Sequence, residues 1–462
     1  MKQHLVEQRL MPALQVKGRP AETHPIADRM RRYQVPGAAC AVVSDGTIEW
    51  TAEYGSTGTG GAPVTASTLF QAASISKAVA AVGVMALVEH GDLDLDRDVN
   101  EQLTSWRFPD SEHTRTTPVT LRHLLSHTAG TTVPGFPGYP IGTPLPTVTD
   151  VLSGRPPSNT PRVESFAAPG TVGQYSGGGT TIVQQLVCDV TGREFASVIY
   201  DLVLRPFGMT DSSFEQPIGA HRASRAATGH TADGQPIAGG WHNYPELQAA
   251  GLWTTATDLA RWILGMQRVL GGSPDGPISP ATARLMTTEM TPGPFGLGPE
   301  MAGTGAYRRF GHGGSNAGFR SQLDALLDGS SGMVMMTNGD GGTTLCGEFR
   351  RGVADVYDWG EVDTIQLDVV DVDPAVLQSY TGRYSGPFDL RMKLEFVDGE
   401  LFSPAPYGRR RMFPLGDTTF LDEESGATLE FHLDGAKVAR VAVMVGGNEL
   451  MAFEPTSQEE TP

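Results

Sequence analysis

Strand-like segments open and close the larger part of this chain, and helical segments lie between them. Residues 37–60 contain two β-rich runs around Asp45-Gly46, a dipeptide typical of two-residue hairpins. Short strand-like runs return at 307–314, 322–328 and 332–338. This order favours an α+β fold in which one antiparallel sheet joins both ends of the segment.

The intervening sequence carries helical patterns. Residues 75–89 are rich in helix formers and are followed by Gly91, a typical C-terminal stop. The stretch 93–165 is rich in Pro, Thr and Gly, which predicts a subdomain of loops and short helices. Further helices are predicted at about 179–191, 195–205 and 256–270.

The C-terminal part has a different pattern. Glycines separate short alternating runs, and turn signals every 8–12 residues are typical of a small β-barrel or sandwich. The acidic segment before it, which contains Pro374, predicts a linker. The expected organisation is an α+β domain at 1–364 that begins with a partly helical lead-in, a linker at 365–371, an all-β barrel at 372–456 and a tail at 457–462.

Charge and composition exclude several classes of partner. The net charge of −18 repels phosphate backbones and anionic lipid, so neither nucleic acid nor membrane is expected as a partner. No apolar stretch is long enough to span a bilayer, and the first residues lack the apolar core of a signal peptide. A cytoplasmic protein is expected, or a secreted one if the start was altered.

The three cysteines point to no disulfide framework or metal site. They lie far apart without CxxC or CxxH spacing, which predicts free thiols and no zinc site. No cofactor is expected. The positions are Cys40, Cys188 and Cys346.

Common nucleophile and nucleotide motifs such as GxSxG, HExxH and GxxxxGK[ST] are absent, which leaves Ser74 and Lys77. Three-residue spacing at the start of a helix puts both side chains on one face, where a neutral amine can take the hydroxyl proton. Lys77 is the only lysine between residues 18 and 392 in a chain that otherwise uses arginine, which does not deprotonate. The structural alternative is an N-cap serine beside a lysine with a solvent-exposed amine.

Two glycine-rich segments could also carry chemistry. Tyr175 precedes Ser176 and three glycines, where a phenol could approach a reacting oxygen and relay its proton. His312 precedes Gly313 and Gly314 in a strand-like run, which suggests close approach of a ligand to the backbone. The alternatives are an ordinary turn tyrosine and a structural histidine. The other ten histidines show no metal-ligand spacing, and most are predicted to be structural.

Taken together, the motifs resemble those of serine β-lactamases and penicillin-binding proteins, in the order SxxK, Tyr-x-Asn and Lys/His-x-Gly. Six segments in order over about residues 25–355 are similar to the class C-like branch. They are LFQAASISK (69–77), LLSHTAG (124–130), PGTVGQYSGGG (169–179), LRPFGMTDSSF (204–214), AAGLWTTATDLARW (249–262) and FGHGGSNAGFRS (310–321).

The resemblance implies a β-lactamase/transpeptidase-like fold, in which an antiparallel sheet flanked by helices lies beside a helical subdomain. A lipocalin-like barrel would follow. Ser74 would be the acylated nucleophile, Lys77 its general base and Tyr175 a proton relay. The backbone N–H groups of Ser74 and Ser315 would form the oxyanion hole.

The resemblance also implies the substrate contacts. His312 would assist recognition of a carboxylate or carbonyl, and Gly313 and Gly314 would lie against the substrate. Gly177 stands where many members have an asparagine that binds the acyl-amide group of the substrate. Losing that donor weakens recognition of penicillin- or peptidoglycan-like amides by roughly 1–3 kcal/mol if the substrate group stays unpaired.

The expected function is that of a serine hydrolase acting on esters, small amides or D-amino-acid peptides. Its partner would be a small molecule or peptide. An acyl transferase, including a thioesterase that cyclises peptides, is the alternative enzyme. A non-catalytic scaffold or β-lactam-binding protein is the alternative of another class. The sequence leaves a homo-oligomer open.

Overall fold

A computed structural model describes residues 1–58, 60–360, 362–387, 390–405 and 408–456. The predicted tail at 457–462 lies outside the described residues. Contacts within the chain divide it into two units. The larger unit joins Met1–Leu10 to Pro25–Val362, and the smaller joins Met11–His24 to the described part of Asp363–Pro462.

Helices and strands are numbered along the described residues. The α-helices α1 to α14 are Lys2–Gln8, Ile26–Arg32, Ile75–His90, Val99–Gln102, Leu121–Leu125, Val148–Ser153, Gly177–Thr191, Phe195–Ile199, Ala220–Ala223, Leu247–Ala250, Ala256–Leu270, Pro280–Met286, Gly342–Val356 and Pro374–Ser379. A π-helical turn at Tyr200–Leu204 follows α8, and a 3-10 turn spans Gly305–Tyr307. The strands β1 to β20 are Leu14–Val16, Gly37–Ser44, Thr47–Gly55, Phe70–Gln71, Tyr139–Pro140, His242–Asn243, Trp253–Thr254, Glu300–Ala302, Arg309–Asn316, Phe319–Leu326, Ser331–Thr337, Ile365–Leu367, Gly382–Ser385, Arg391–Val397, Glu400–Ala405, Gly408–Pro414, Thr419–Asp422, Thr428–Asp434, Lys437–Val445 and Asn448–Pro455.

The larger unit contains the predicted antiparallel sheet, in the order β3-β2-β11-β10-β9-β8. Strand β2 pairs with β11, with Val42 opposite Met333, so the start and the end of the unit meet in the middle of the sheet. Asp45 and Gly46 both have positive φ, as the tight β2–β3 hairpin requires. The α+β class is therefore confirmed.

Helix α3 lies in the core of this unit. Every residue from Ile75 to Leu87 is buried, as expected for a helix that is apolar on all sides. Gly91 ends the helix in the left-handed conformation, with φ 83°. The helix starts directly after Ser74, so its burial fixes the position of the candidate nucleophile.

Two short elements were not predicted. Strand β8 at Glu300–Ala302 extends the sheet beside β9. In the lead-in, which is predicted to be partly helical, Leu14–Val16 instead form β1, which pairs in parallel with β12 at Ile365–Leu367. Part of the predicted linker at 365–371 is therefore a paired strand. Three residues carry too little alternation to show a strand in the sequence, and their pairing depends on residues far away in the chain.

The smaller unit contains a closed antiparallel barrel of eight strands, β13 to β20, in agreement with the predicted all-β domain. This unit has its own apolar core, in which the rings of Tyr380 and Phe431 stack with centroids 4.1 Å apart. In the described part of the chain, no helix combines the length and apolar character needed to cross a bilayer.

A buried ion pair connects helices α2 and α13. Nε of Arg29 donates to Oε2 of Glu348 at 2.7 Å, and the Tyr33 hydroxyl donates to Oε1 of the same carboxylate at 2.7 Å. The two charged side chains are only 6% and 1% exposed. Removing one partner would leave the other charge buried and uncompensated.

We predict that Glu348→Ala lowers the free energy of unfolding by about 3–5 kcal/mol, because the Arg29 guanidinium would lose its carboxylate inside the protein. Chemical denaturation monitored by circular dichroism measures the change. Glu101→Ala is the control, since the Glu101 side chain is 67% exposed in its pair with Arg97. Its removal should lower the free energy of unfolding by less than about 1 kcal/mol. Equal losses in the two variants would contradict the prediction.

Candidate active site

Ser74 is the residue immediately before helix α3. Its side chain makes no capping hydrogen bond, so the hydroxyl remains available for chemistry. The preceding residue, Ala73, has φ 50°, a left-handed conformation that is costly for a residue with a Cβ atom. Backbone strain is therefore stored directly beside the candidate nucleophile.

The amine of Lys77 is the neighbour of this hydroxyl. Nζ lies 3.1 Å from Oγ of Ser74 and donates to the backbone carbonyl of Ala249 at 2.6 Å. The side chain is buried, and burial lowers the pKa of Lys77 to about 7. A large fraction of the amine is therefore neutral near pH 7 and can accept the proton of Ser74.

Tyr175 lies close to the same amine. The centre of its ring is 4.9 Å from Nζ of Lys77. Burial raises the pKa of Tyr175, an interaction with the Ser74 hydroxyl offsets part of this rise, and the negative charge of Glu300 adds to it. The side chain is therefore a neutral phenol at physiological pH.

His312 lies on strand β9 with its ring buried beside Tyr175, at a centroid distance of 5.9 Å. Nδ1 is 2.6 Å from the carbonyl oxygen of Gly313, and because a carbonyl only accepts, Nδ1 carries the proton. Nε2 is then an acceptor, buried and without a partner among the described residues. Burial, and then the charge of Lys77, lower the pKa of His312 to about 3, so the ring is neutral.

Strand β9 lies directly against the segment that precedes Ser74. A Cβ atom on Gly314 would lie 2.2 Å from the carbonyl oxygen of Ala72, so only glycine fits there. Ser321 on β10 donates to the same oxygen at 3.0 Å. A Cβ atom on Gly313, by contrast, would lie 3.5 Å from its nearest neighbour, the side-chain amide of Gln322. This is an ordinary contact distance, so crowding does not require glycine at position 313.

Ser315 follows on the same strand. Its side chain is exposed, in contrast to its buried neighbours on either side. The pairing of β8 with β9 ends at Gly311. Within the described residues, the stretch of β9 around Ser315 therefore has no strand partner on the β8 side.

Gly177 is the first residue of α7. A Cβ atom at this position would lie 2.9 Å from Cε2 of Phe136, so the ring of Phe136 takes up the space into which a side chain would extend. The Gly177 N–H donates to the carbonyl of Pro134 at 3.1 Å. This glycine is thus packed against the loop that carries Phe136.

His127, one of the ten other histidines of which most are predicted to be structural, also belongs to this cluster. Its Nδ1 accepts from the N–H of Ser176 at 3.2 Å, and its carbonyl accepts from the N–H of Gln174 at 2.9 Å. The ring centroid is 4.4 Å from that of Tyr175. His127 therefore holds Tyr175 from both flanks. Its only signal in the sequence is that it lies in the LLSHTAG segment.

Several known proteins are similar to this chain in sequence. A family model described as β-lactamase matches residues 24–354. Penicillin-binding protein 4 of Amycolatopsis lactamdurans is 28% identical over 361 residues, which are 74% of this chain and 90% of that protein. Esterase EstB of Burkholderia gladioli is 30% identical over 214 residues, 45% of this chain and 53% of the esterase.

A solved structure extends the likeness to both units. The octameric penicillin-binding protein homologue from Pyrococcus abyssi superposes with a TM-score of 0.62 at 20% identity, over 93% of this chain and 98% of that one. At that identity, the likeness concerns the fold. From the family match and the fold together, the chain belongs to the β-lactamase family, a family of serine hydrolases.

Proposed function

We propose that this protein forms an acyl-enzyme on Ser74 and hydrolyses esters or small amides, including those of D-amino-acid peptides. The observation that carries the proposal is the buried Lys77 amine 3.1 Å from the Ser74 hydroxyl. A lysine removed from water at this distance is a base for the serine, whereas an idle buried cation would only cost stability.

The reaction proceeds in two displacements. Ser74 Oγ attacks the substrate carbonyl while its proton passes to Lys77, and the backbone N–H groups of Ser74 and Ser315 stabilise the oxyanion. The bond to the leaving group then breaks, and the leaving group takes up the proton through the Tyr175 phenol. Water then attacks the acyl carbonyl and gives a proton to the same groups, the bond between the acyl carbon and Ser74 Oγ breaks, and Oγ takes that proton back as the acid leaves.

The charges around the site favour substrates without a carboxylate on the leaving side. His312 is neutral and presents an acceptor at Nε2, and the charged residue that acts on Tyr175 is the acidic Glu300. A carboxylate has only acceptors and would meet no donor from His312 in this form. A hydroxyl or amine that donates a hydrogen bond suits the same position better.

We expect Ser74→Ala to abolish turnover of p-nitrophenyl acetate and labelling by a serine-directed phosphonate, because the hydroxyl that lies 3.1 Å from the Lys77 amine would be lost. Ser76→Ala is the matched control. Ser76 is in the same helical turn, but its hydroxyl accepts from the Leu252 N–H at 3.0 Å, so labelling should persist. Mass spectrometry locates the adduct, and an adduct on any residue other than Ser74 would refute the assignment.

We expect the rate of phosphonate labelling to rise with pH through an apparent pKa of about 7, as Lys77 loses its proton. Below that pH the amine is occupied, so the rate at pH 5.5 should be roughly thirty-fold lower than at pH 8.5. Lys77→Arg should abolish the reaction because a guanidinium does not accept a proton, whereas Lys17→Arg, at an exposed lysine, should not. A profile that is flat over this range would rule out Lys77 as the base.

Nitrocefin should be hydrolysed at least about a hundred-fold less efficiently than p-nitrophenyl acetate, judged by kcat/KM. The β-lactam carries a carboxylate and an acyl amide, and each would lose a partner worth roughly 1–3 kcal/mol beside the neutral His312 and Gly177. Steady-state kinetics on the same preparation give the ratio. Comparable efficiencies would contradict this account of the site.

A further inference from the structure

We propose that Phe136 determines the acyl specificity of this enzyme and selects substrates with an apolar acyl group. The inference rests on the proposed acyl-enzyme at Ser74 and adds the chemical class of the acyl group. Its basis is the position of the Phe136 ring in the space where a side chain at position 177 would begin.

The loop that carries Phe136 is fixed to the start of helix α7. The Gly177 and Gly178 N–H groups donate to the carbonyls of Pro134 and Val133 at 3.1 and 2.9 Å, and Ser176 Oγ donates to that of Thr132 at 2.7 Å. Two of the free donors that a helix normally offers at its N-terminus are thus used by this loop, and a third, the Gly179 N–H, donates to Ser176 Oγ at 2.9 Å. They are not available to an anionic or amide group of a substrate.

The ring packs against a small buried cluster, one residue of which is hydrogen-bonded to the proposed general base. Phe136 contacts the buried cluster of Tyr244, Ala249 and Ala250. The carbonyl of Ala249 holds the amine of Lys77 at 2.6 Å, so this cluster lies directly behind the reacting groups. The ring remains partly exposed, which leaves apolar surface for a ligand.

An aromatic ring at this position favours the binding of apolar acyl groups. It offers neither donor nor acceptor, so an acyl amide placed against it would lose its hydrogen bonds to water without replacement. An alkyl chain gains instead by leaving water, which amounts to roughly two- to four-fold in kcat/KM for each methylene that reaches the ring.

The test compares p-nitrophenyl acetate, butyrate and hexanoate with the p-nitrophenyl ester of N-acetylglycine, which share one leaving group. The wild type should prefer hexanoate to acetate by at least about ten-fold and should hydrolyse the N-acetylglycine ester poorly. Phe136→Ala should reduce the preference for hexanoate about ten-fold, and Phe136→Leu, which remains apolar, should retain most of it. Phe166→Ala is the control, because that ring is exposed and makes no contact used here.

A second pair of variants tests the competition for space directly. Gly177→Asn should slow phosphonate labelling of Ser74, since its Cβ atom would lie 2.9 Å from the Phe136 ring. Combining it with Phe136→Ala should restore labelling and raise activity on the N-acetylglycine ester. If Ser74 is labelled as slowly in the double variant as in Gly177→Asn alone, the side chains at positions 136 and 177 do not compete for the same space.

The outcomes separate this inference from the proposed function. If the wild type is not labelled at Ser74, the proposed function fails and the inference fails with it. If Phe136→Ala is labelled at the wild-type rate and keeps the wild-type preference among the esters, only the role of Phe136 is overturned.

Discussion

The site depends on one lysine amine held inside the protein. Lys77 can be buried because helix α3 is apolar on all sides and because the carbonyl of Ala249 accepts a hydrogen bond from Nζ. The same burial lowers the pKa of the amine to about 7, which makes it a base for Ser74. The packing that stabilises the helix and the chemistry that we propose for the serine therefore have one physical cause.

The rest of the fold brings distant segments to this amine. The close approach of β9 to the carbonyl of Ala72, which requires Gly314, brings the strand that carries His312 to the segment before Ser74. His127 accepts a hydrogen bond from the backbone next to Tyr175, and its ring packs against the Tyr175 ring, which lies 4.9 Å from the Lys77 amine. Both imidazoles are neutral, so they can accept hydrogen bonds without placing a positive charge beside Lys77. Repulsion by a neighbouring imidazolium is therefore not what favours the neutral amine.

The sequence predicted features that depend on local chemistry. The Asp45-Gly46 hairpin and the stop of α3 at Gly91 follow from backbone preferences within a few residues. The role of His127 and the packing of Phe136 against Gly177 were not predicted, because each depends on residues about forty to fifty positions away that meet only in the folded chain. Strand β1 was missed for the same reason, since its partner β12 lies near the far end of the sequence.

The scarcity of lysine permits a direct measurement of the central claim, the lowered pKa of Lys77. The chain has five lysines, so a protein labelled with carbon-13 at lysine Cε gives few signals, and Lys77→Arg identifies the one that belongs to Lys77. A titration followed by NMR should show that signal with a midpoint near pH 7, well below the ordinary lysine value of about 10.4. A midpoint for Lys77 near 10 would contradict the account, because a permanently charged amine could not take the proton of Ser74.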